Sequence, residues 1–157
     1  MPAALPTLRP ISASDRAAFA DFVARLSPAS RTHRFLHPVK ELAPAFLDAL
    51  TRPDPRRHVC LVAEEDGVIV AEGRFVALED RTRGEFAIAV ADDWQRRGIG
   101  ARLLGALMLA ARRAGVTLLE GEVLRTNAAM LAFLRRLGFR LRICPGDARL
   151  TLAERSV

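Results

Sequence analysis

The sequence predicts a mixed α/β fold: a mostly antiparallel sheet carrying one parallel pair of strands. Three observations predict it. Alternating apolar runs at 58–63 and 68–78 are joined by Glu65-Asp66-Gly67, and Asp-Gly tolerates the positive φ of a tight hairpin. The polar stretch Glu79 to Gly84 then makes a second reversal into the strand GEFAIAV, where Phe86, Ile88 and Val90 alternate with Ala87, Ala89 and Ala91. Past Ile99 the apolar period becomes helical, and the strand pattern Leu118–Leu124 follows Gly115. A strand, a helix and a strand in that order cross over right-handed and lie parallel.

The remaining elements follow in chain order. Thr7–Ile11 reads as a short strand. Ser12 or Ser14 is suited to cap a helix over Asp15–Leu26, with Phe19, Phe22, Val23 and Leu26 on one face. Ser27-Pro28 starts a second, short helix ending near Phe35, with Ser as cap and Pro at the first helical position. A third helix is expected over Glu41–Leu50, with Leu42, Phe46 and Leu50 in phase, before the rigid Pro53–Pro55 connector. The helix from Ile99 should stop at Gly115, a left-handed cap, with Arg112 and Arg113 beside the negative end of its dipole. Thr126 is the expected cap of a last helix, with Met130, Leu131, Leu134 and Leu137 inward, ending at Gly138. Phe139–Cys144 and Arg149–Leu152 make a closing hairpin over Pro145-Gly146-Asp147. No repeat, linker or low-complexity tract interrupts residues 1–157, so a single domain is expected.

Composition narrows the function. Half the residues are hydrophobic, as in globular domains. Met1 to Pro10 shows no cationic start followed by an apolar run, and Leu103–Ala111 is too short to span a bilayer, so a cytoplasmic location with no membrane partner is the expectation. The formal charge of +6 is almost all arginine, since Lys40 is the sole lysine. Arginine suits phosphate and carboxylate; a base-composition bias gives the same count. The arginines are scattered and there is no Tyr, which speaks against nucleic-acid binding. Cys60 and Cys144 stand far apart, and neither shares metal-ligand spacing with His33, His37 or His58, so no metal is expected.

The chemistry centres on Gln95-Arg96-Arg97-Gly98-Ile99-Gly100, between the Ala-rich strand and the long helix. A helix start leaves backbone N–H groups without partners and carries partial positive charge, so it suits a phosphate. Gly98 and Gly100 let a ligand approach the backbone, and Arg96 and Arg97 add charge. The pattern lacks the Lys-Ser/Thr of a nucleotide triphosphatase loop and the third glycine of a dinucleotide fingerprint. It resembles, at every fixed position, the acyl-CoA pyrophosphate loop of the GNAT N-acetyltransferase superfamily. Thr126-Asn127 with Leu137-Gly138-Phe139 resembles that family's Asn-helix-Leu-Gly-Phe segment. Ser27-Pro28, Ser30-Arg31 and Arg34-Phe35, with Glu85-Phe86-Ala87, resemble the acetyltransferase domain of bacterial protein-lysine acetyltransferases of the Pat type.

The resemblance implies a twisted sheet of six to seven strands flanked by four to five helices, with the central parallel pair splayed to admit acyl-CoA. It implies acetyl transfer from acetyl-CoA, the co-substrate, to an amine, either a protein lysine or a small molecule. It implies cofactor contacts from Ile88, Ala89 and Val90, from Gln95, Arg96, Arg97, Gly98, Ile99, Gly100 and Ala101, and from Asn127. Arg31, Arg34 and Phe35 become candidates for the acceptor pocket, with a solvated arginine pair and a core phenylalanine as the alternative.

A lysine-like amine has a pKa near 10.4, so about one molecule in a thousand is neutral at physiological pH and a base is needed. Glu85 is the candidate catalytic base. Its face of the strand continues with small alanines that leave room for substrate, and it stands roughly 10 Å from Ile88, a span for a water relay or a bulge. The alternative is an ion pair with a nearby arginine. Asn127 likewise reads as a pantetheine ligand or as an ordinary helix-start residue. Asp92 and Asp93 are expected to cap or solvate the turn. Leu134 stands where many family members carry a Tyr acid, which motivates a rival expectation, a catalytically silent CoA-binding regulatory domain. A third is a homodimer through the Cys144–Leu152 hairpin edge.

Overall fold

The computed structural model describes residues 4–157. Seven strands form one sheet in the order β1-β2-β3-β4-β5-β7-β6. They are β1 Thr7–Pro10, β2 His58–Glu65, β3 Val68–Ala77, β4 Arg83–Val90, β5 Leu118–Leu124, β6 Arg140–Ile143 and β7 Leu150–Ser156. Every neighbouring pair is antiparallel except β4 and β5. Five α-helices accompany them: α1 Arg16–Arg25, α2 Pro28–Phe35, α3 Pro44–Thr51, α4 Ile99–Arg113 and α5 Ala128–Arg136. This is the mixed, mostly antiparallel architecture expected.

The β2–β3 hairpin turns on Asp66 and Gly67 with φ of 49° and 77°, both positive, as a two-residue turn between right-twisted strands requires. The alternation in β4 sorts its side chains to two cores. Phe86 and Ile88 join Leu103, Leu104, Leu107 and Leu134 beneath α4 and α5. Ala89 and Ala91 join Phe19, Phe22, Val23 and Leu26 on the other face. Complete burial of side chains such as Phe19, Phe22 and Leu103 contributes about 1.5–3 kcal/mol each.

Four expectations shift. The third helix begins at Pro44, not Glu41, because a proline at the first helical position fixes φ and needs no donor. Its buried residues are Leu47, Leu50 and Thr51, while Phe46 is exposed and Leu42 lies outside the helix. Before α1, Ala13–Asp15 form a separate 3₁₀ turn, closed by the Ser12 N–H donating to Asp15 Oδ2 at 2.8 Å. Asn127, not Thr126, caps α5: its Oδ1 accepts from the Met130 N–H at 3.2 Å. The final strand extends to Ser156 and inserts between β5 and β6, so β6 is the sheet edge and β7 is interior.

Candidate active site

The parallel pair parts almost as soon as it forms. Pairing between β4 and β5 is confined to Arg83–Leu118, Gly84–Leu119 and Glu85–Glu120, although β4 runs on to Val90 and β5 to Leu124. The backbone direction follows from the ladder with β3. Arg83 O accepts from Leu78 N at 2.8 Å, and Ala91 N donates to Val70 O at 2.8 Å. Odd-numbered residues of β4 therefore bond to β3, and even-numbered ones face β5. Past Glu85, the N–H and C=O groups of Phe86, Ile88 and Val90 point into the gap. Ala89 borders the gap, but its backbone groups belong to the β3 ladder. At the branch point Phe86 covers Gly121, where an added Cβ would meet the ring at 2.7 Å.

The gap opens into a cleft of about 1070 Å³. One end is the loop from β4 to α4. Gly98 holds φ at 82°, a left-handed conformation that glycine adopts without a Cβ penalty. The first bond of the helix runs from Arg102 N to Gly98 O at 3.2 Å. Among the described residues, the amides of Gly98, Ile99, Gly100 and Ala101 have no protein acceptor. Gly100 lies against the Phe133 ring, which an added Cβ would approach to 3.3 Å, so α5 sits directly on the loop. Gln95 Nε2 donates to Val90 O at 3.0 Å and ties the loop to the strand end.

Side chains of the loop divide. Gln95, Arg96, Gly98, Gly100 and Ala101 line the cleft. Ile99 turns its side chain into the core. Arg97 stacks its guanidinium 4.8 Å from the Trp94 ring centroid. Asn127 also lines the cleft; its carbonyl oxygen is spent on the cap, leaving the amide NH₂ for other partners. Leu134 is wholly buried in the core beneath α5 and does not line the cleft.

The opposite wall is α2 with Phe46 of α3. Asp92 clamps α2 to the loop: it accepts from Ser27 N at 3.0 Å, Ser27 Oγ at 2.9 Å and Ser30 Oγ at 3.0 Å. Burial pushes the Asp92 carboxyl up, and these hydrogen bonds outweigh it, leaving it below the usual range. Asp92 was expected to cap or solvate the turn it precedes; it instead reaches across to the start of α2, and that turn carries no side-chain cap. Arg31 is structural, donating to the carbonyls of Val39, Ala24 and Leu26. Arg34 borders the cleft with its guanidinium bound to Glu72 at 2.5 Å. Phe35 meets Phe46 edge-on at 6.1 Å. Sequence inspection had passed over His33, Leu36 and Phe46 on this wall, and Glu122, Phe133 and Arg136 on the other.

Glu85 lies in this cleft on the α2 face. No arginine pairs with it among the described residues; its lateral neighbour across the parallel pair is Glu120. Burial pushes its carboxyl above the usual glutamate range, and the Glu122 and Glu120 carboxylates push the same way. Such a group takes up protons more readily than an ordinary surface glutamate. Among the described residues no cluster of three or more His, Cys, Asp or Glu side chains could hold a metal ion, and no helix is long and apolar enough to cross a membrane.

Comparison with known proteins agrees with this geometry. The model of the acetyltransferase (GNAT) family matches residues 21–139. The chain is 37% identical over 136 residues to the acetyltransferase PA5475 of Pseudomonas aeruginosa, covering 84% of this chain and 73% of that one. It is 37% identical over 109 residues to the acetyltransferase Pat of Mycolicibacterium smegmatis, covering 68% of this chain and 33% of that longer protein. The GNAT domain of S. lividans PAT superposes with a TM-score of 0.91 at 24% identity, covering 96% of this chain and 89% of that one. Salmonella typhimurium yncA, solved with acetyl-CoA, superposes with a TM-score of 0.70 at 21% identity, over 99% and 94% of the two chains. The chain belongs to the GNAT acetyltransferase family and is an acyltransferase.

Proposed function

We infer that residues 1–157 form one acetyltransferase domain that moves an acetyl group from acetyl-CoA to an amine, a protein lysine or a small molecule, with Glu85 as the base. The observation that carries this is the set of unpartnered amides at residues 98–101, set at the mouth of a gap between parallel strands. Those amides fit a diphosphate: they converge at a helix N-terminus, and Gly98 and Gly100 put no side chain in the way. Arg96 adds a cation there. Arg97 contributes backbone while its side chain braces Trp94.

The gap suits the pantetheine arm, whose amides need partners in a strand-like array. Ile88 and Val90 would supply them, Ala89 would provide a small wall, and the Asn127 NH₂ would donate to an amide carbonyl. The Val90 N–H would polarise the acetyl carbonyl as negative charge develops on its oxygen. The acceptor would enter from the α2 side. Glu85 takes a proton from the incoming ammonium, across roughly 10 Å of strand and therefore through water. The neutral amine attacks the carbonyl carbon, a C–N bond forms and the C–S bond breaks; the sulfur leaves as thiolate, and the surplus proton on the nitrogen passes to water or to that thiolate. A thiol pKa near 8.5 lets it depart without an acid, which accords with a packed leucine at position 134. A cytoplasmic setting, where acetyl-CoA is made and used, belongs to the same proposal.

The test is thiol release from acetyl-CoA with a panel of amines and lysine peptides, run beside calorimetry. Turnover with at least one acceptor, lost in Glu85→Gln while acetyl-CoA still binds, is expected. Binding with no turnover anywhere in the panel would overturn the enzymatic assignment to an amine.

A further inference from the structure

Leu36 has no role in the scheme above, and its backbone is strained. It follows α2 directly, lines the cleft and holds φ at 65°, a left-handed conformation that presses its Cβ against the neighbouring backbone. After α4 and α5 the first left-handed residue is a glycine, Gly115 or Gly138, which escapes that clash. Among the described residues, Leu36 is the one aliphatic side chain at a positive φ. Ties on both sides keep it there. Arg34, two residues before, is bound to Glu72, and Arg31 donates to Val39 O at 2.9 Å, just beyond. No side chain of α2 itself is buried, and Leu36 packs against neither hydrophobic core. A strained apolar residue with no core to fill is placed for something the cleft holds.

Its surroundings identify what that is. Phe46 lines the same wall, is 46% exposed, and like Leu36 joins neither core. The two side chains give the cleft an apolar surface of its own. Facing it are the carboxylates of Glu85 and Glu122, which also line the cleft. Glu85 is level with Glu120 across the parallel pair, and Glu122 is the next residue of that face along β5. Glu122 has no cation partner among the described residues; its Oε1 accepts from Cys144 Sγ at 3.6 Å. Arginines of this face are engaged elsewhere: Arg34 by Glu72, Arg83 by Asp80, Arg140 and Arg142 by Glu154. A molecule held here therefore meets carboxylates at one end and apolar side chains along its body. An ammonium is attracted to that end, and a carboxylate beside the amine is repelled. Ether or hydroxyl oxygens along the body would lose water against Leu36 and Phe46 and gain no partner.

We propose, on the footing of the acetyl-CoA reading above, that the acceptor is a primary amine carried on an apolar stem, and that Leu36 is the specificity residue that reads the stem. A free alkylamine and the side chain of a lysine both have such a stem. Free amino acids, with a carboxylate beside the amine, and hydroxylated amines are rejected.

Binding of two amines to protein saturated with coenzyme A, which carries no acetyl group to transfer, tests this without turnover. The probes are hexylamine and aminoethoxyethanol, a chain of equal length and charge with oxygens along it, followed by amide resonances. The wild type should bind hexylamine about tenfold or more tighter, the scale of apolar stem atoms leaving water. Leu36→Asn keeps the size of the side chain and tolerates positive φ. It should remove most of the preference by weakening hexylamine alone, with coenzyme A affinity unchanged and melting temperature no lower. Glu122→Gln should weaken both amines alike and keep the preference. A lower melting temperature with the preference intact in Leu36→Asn would show that the leucine serves the fold, and would overturn the assignment. Amine affinities unmoved by Glu122→Gln would overturn the orientation of the charged end. A wild type that binds both amines equally, or neither, would overturn the proposal while leaving the acetyl-CoA reading intact; one that binds no coenzyme A would overturn both. Nα-acetyl-lysinamide, as a third probe, separates the two sources: affinity like that of hexylamine indicates a lysine side chain, and affinity like that of aminoethoxyethanol a free alkylamine.

Discussion

Two glutamates on neighbouring strands, Glu72 of β3 and Glu85 of β4, face the same side of the sheet and have opposite environments. Pairing sets Glu72 opposite Ala89 and Glu85 opposite Val76, so both carboxylates lie on the α1–α3 side. Glu72 is buried, and two guanidiniums hold it: Arg34 at 2.5 Å and Arg74 at 2.7 Å. Burial alone would push its carboxyl up, but the two cations outweigh burial and hold it down at about 2. Glu85 sits beside two carboxylates and no cation, and is raised. The surroundings of Glu72 extend the contrast. Burial and the Arg74 charge press His58 down to about 4, and burial with the nearby Glu72 charge pushes the Cys60 thiol up to about 12, so neither changes charge near neutrality. The difference teaches that residue type does not decide how readily a carboxylate takes up a proton; the charge of the neighbours does. Glu72 fastens α2 to the sheet through Arg34, and Glu85 is left able to exchange a proton.

The strongest way to break the contrast is to neutralise each carboxylate in turn. Glu85→Gln should lower kcat/KM by about 10²–10⁴, the usual contribution of a positioned base, with little change in melting temperature. Glu72→Gln should do the reverse at the level of folding. It leaves two buried guanidiniums uncompensated, a loss of about 3–5 kcal/mol in urea unfolding at neutral pH. If Glu72→Gln unfolds no more easily than the wild type, the strut reading of that cluster is wrong.

Acid titration sharpens the same pair, with opposite signs. Glu72 has a folded value of about 2 against an ordinary 4.5, so its contribution to stability is complete above 4.5 and is lost as pH falls toward 2. The stability gap between wild type and Glu72→Gln should therefore close across that window. Glu85 has a folded value above 4.5, so protonation favours the folded state below 4.5, and that benefit disappears as pH rises through the folded value. With Glu85 as the proposed base, activity would need its ionised form, so kcat/KM should climb with pH through an inflection above 4.5. Initial rates from pH 4 to 8 would reveal it, and an inflection at or below 4.5 would contradict the raised carboxyl.

The smallest effect concerns the clamp rather than either glutamate. Asp92→Ala removes the acceptor for Ser27 and Ser30, a cap-like loss of about 0.5–2 kcal/mol. Because α2 is also held by Arg34, the expected outcome is a modest rise in acceptor KM with kcat nearly kept. A collapse of acetyl-CoA affinity instead would mean that the clamp chiefly supports the loop.

Much of this was legible in the sequence where the cause is local. Asp66-Gly67 announced its hairpin, Ser27-Pro28 its helix start, and Gly98 the left-handed entry to α4, because each depends on φ at one residue. The alternation of Phe86, Ile88 and Val90 with alanines foretold two faces. Pairings made over long separations were not legible. Nothing near Glu72 in sequence says that Arg34 will reach it, and nothing near Glu85 says that its neighbours will be Glu120 and Glu122. The insertion of β7 between β5 and β6 is likewise a tertiary choice. Leu42, Phe46 and Leu50 are in phase in the sequence, but the helix starts at Pro44 and turns Leu47, Leu50 and Thr51 inward, which leaves Phe46 on the cleft wall.

The most direct test is a titration of coenzyme A into isotopically labelled protein, followed by the backbone amide resonances. The largest shifts should fall on Gly98 to Ala101 and on Ile88 and Val90, while Glu72 and Arg74 stay nearly still. Shifts absent from Gly98 to Ala101, or concentrated around the Glu72 cluster, would contradict the assignment of those amides to the diphosphate.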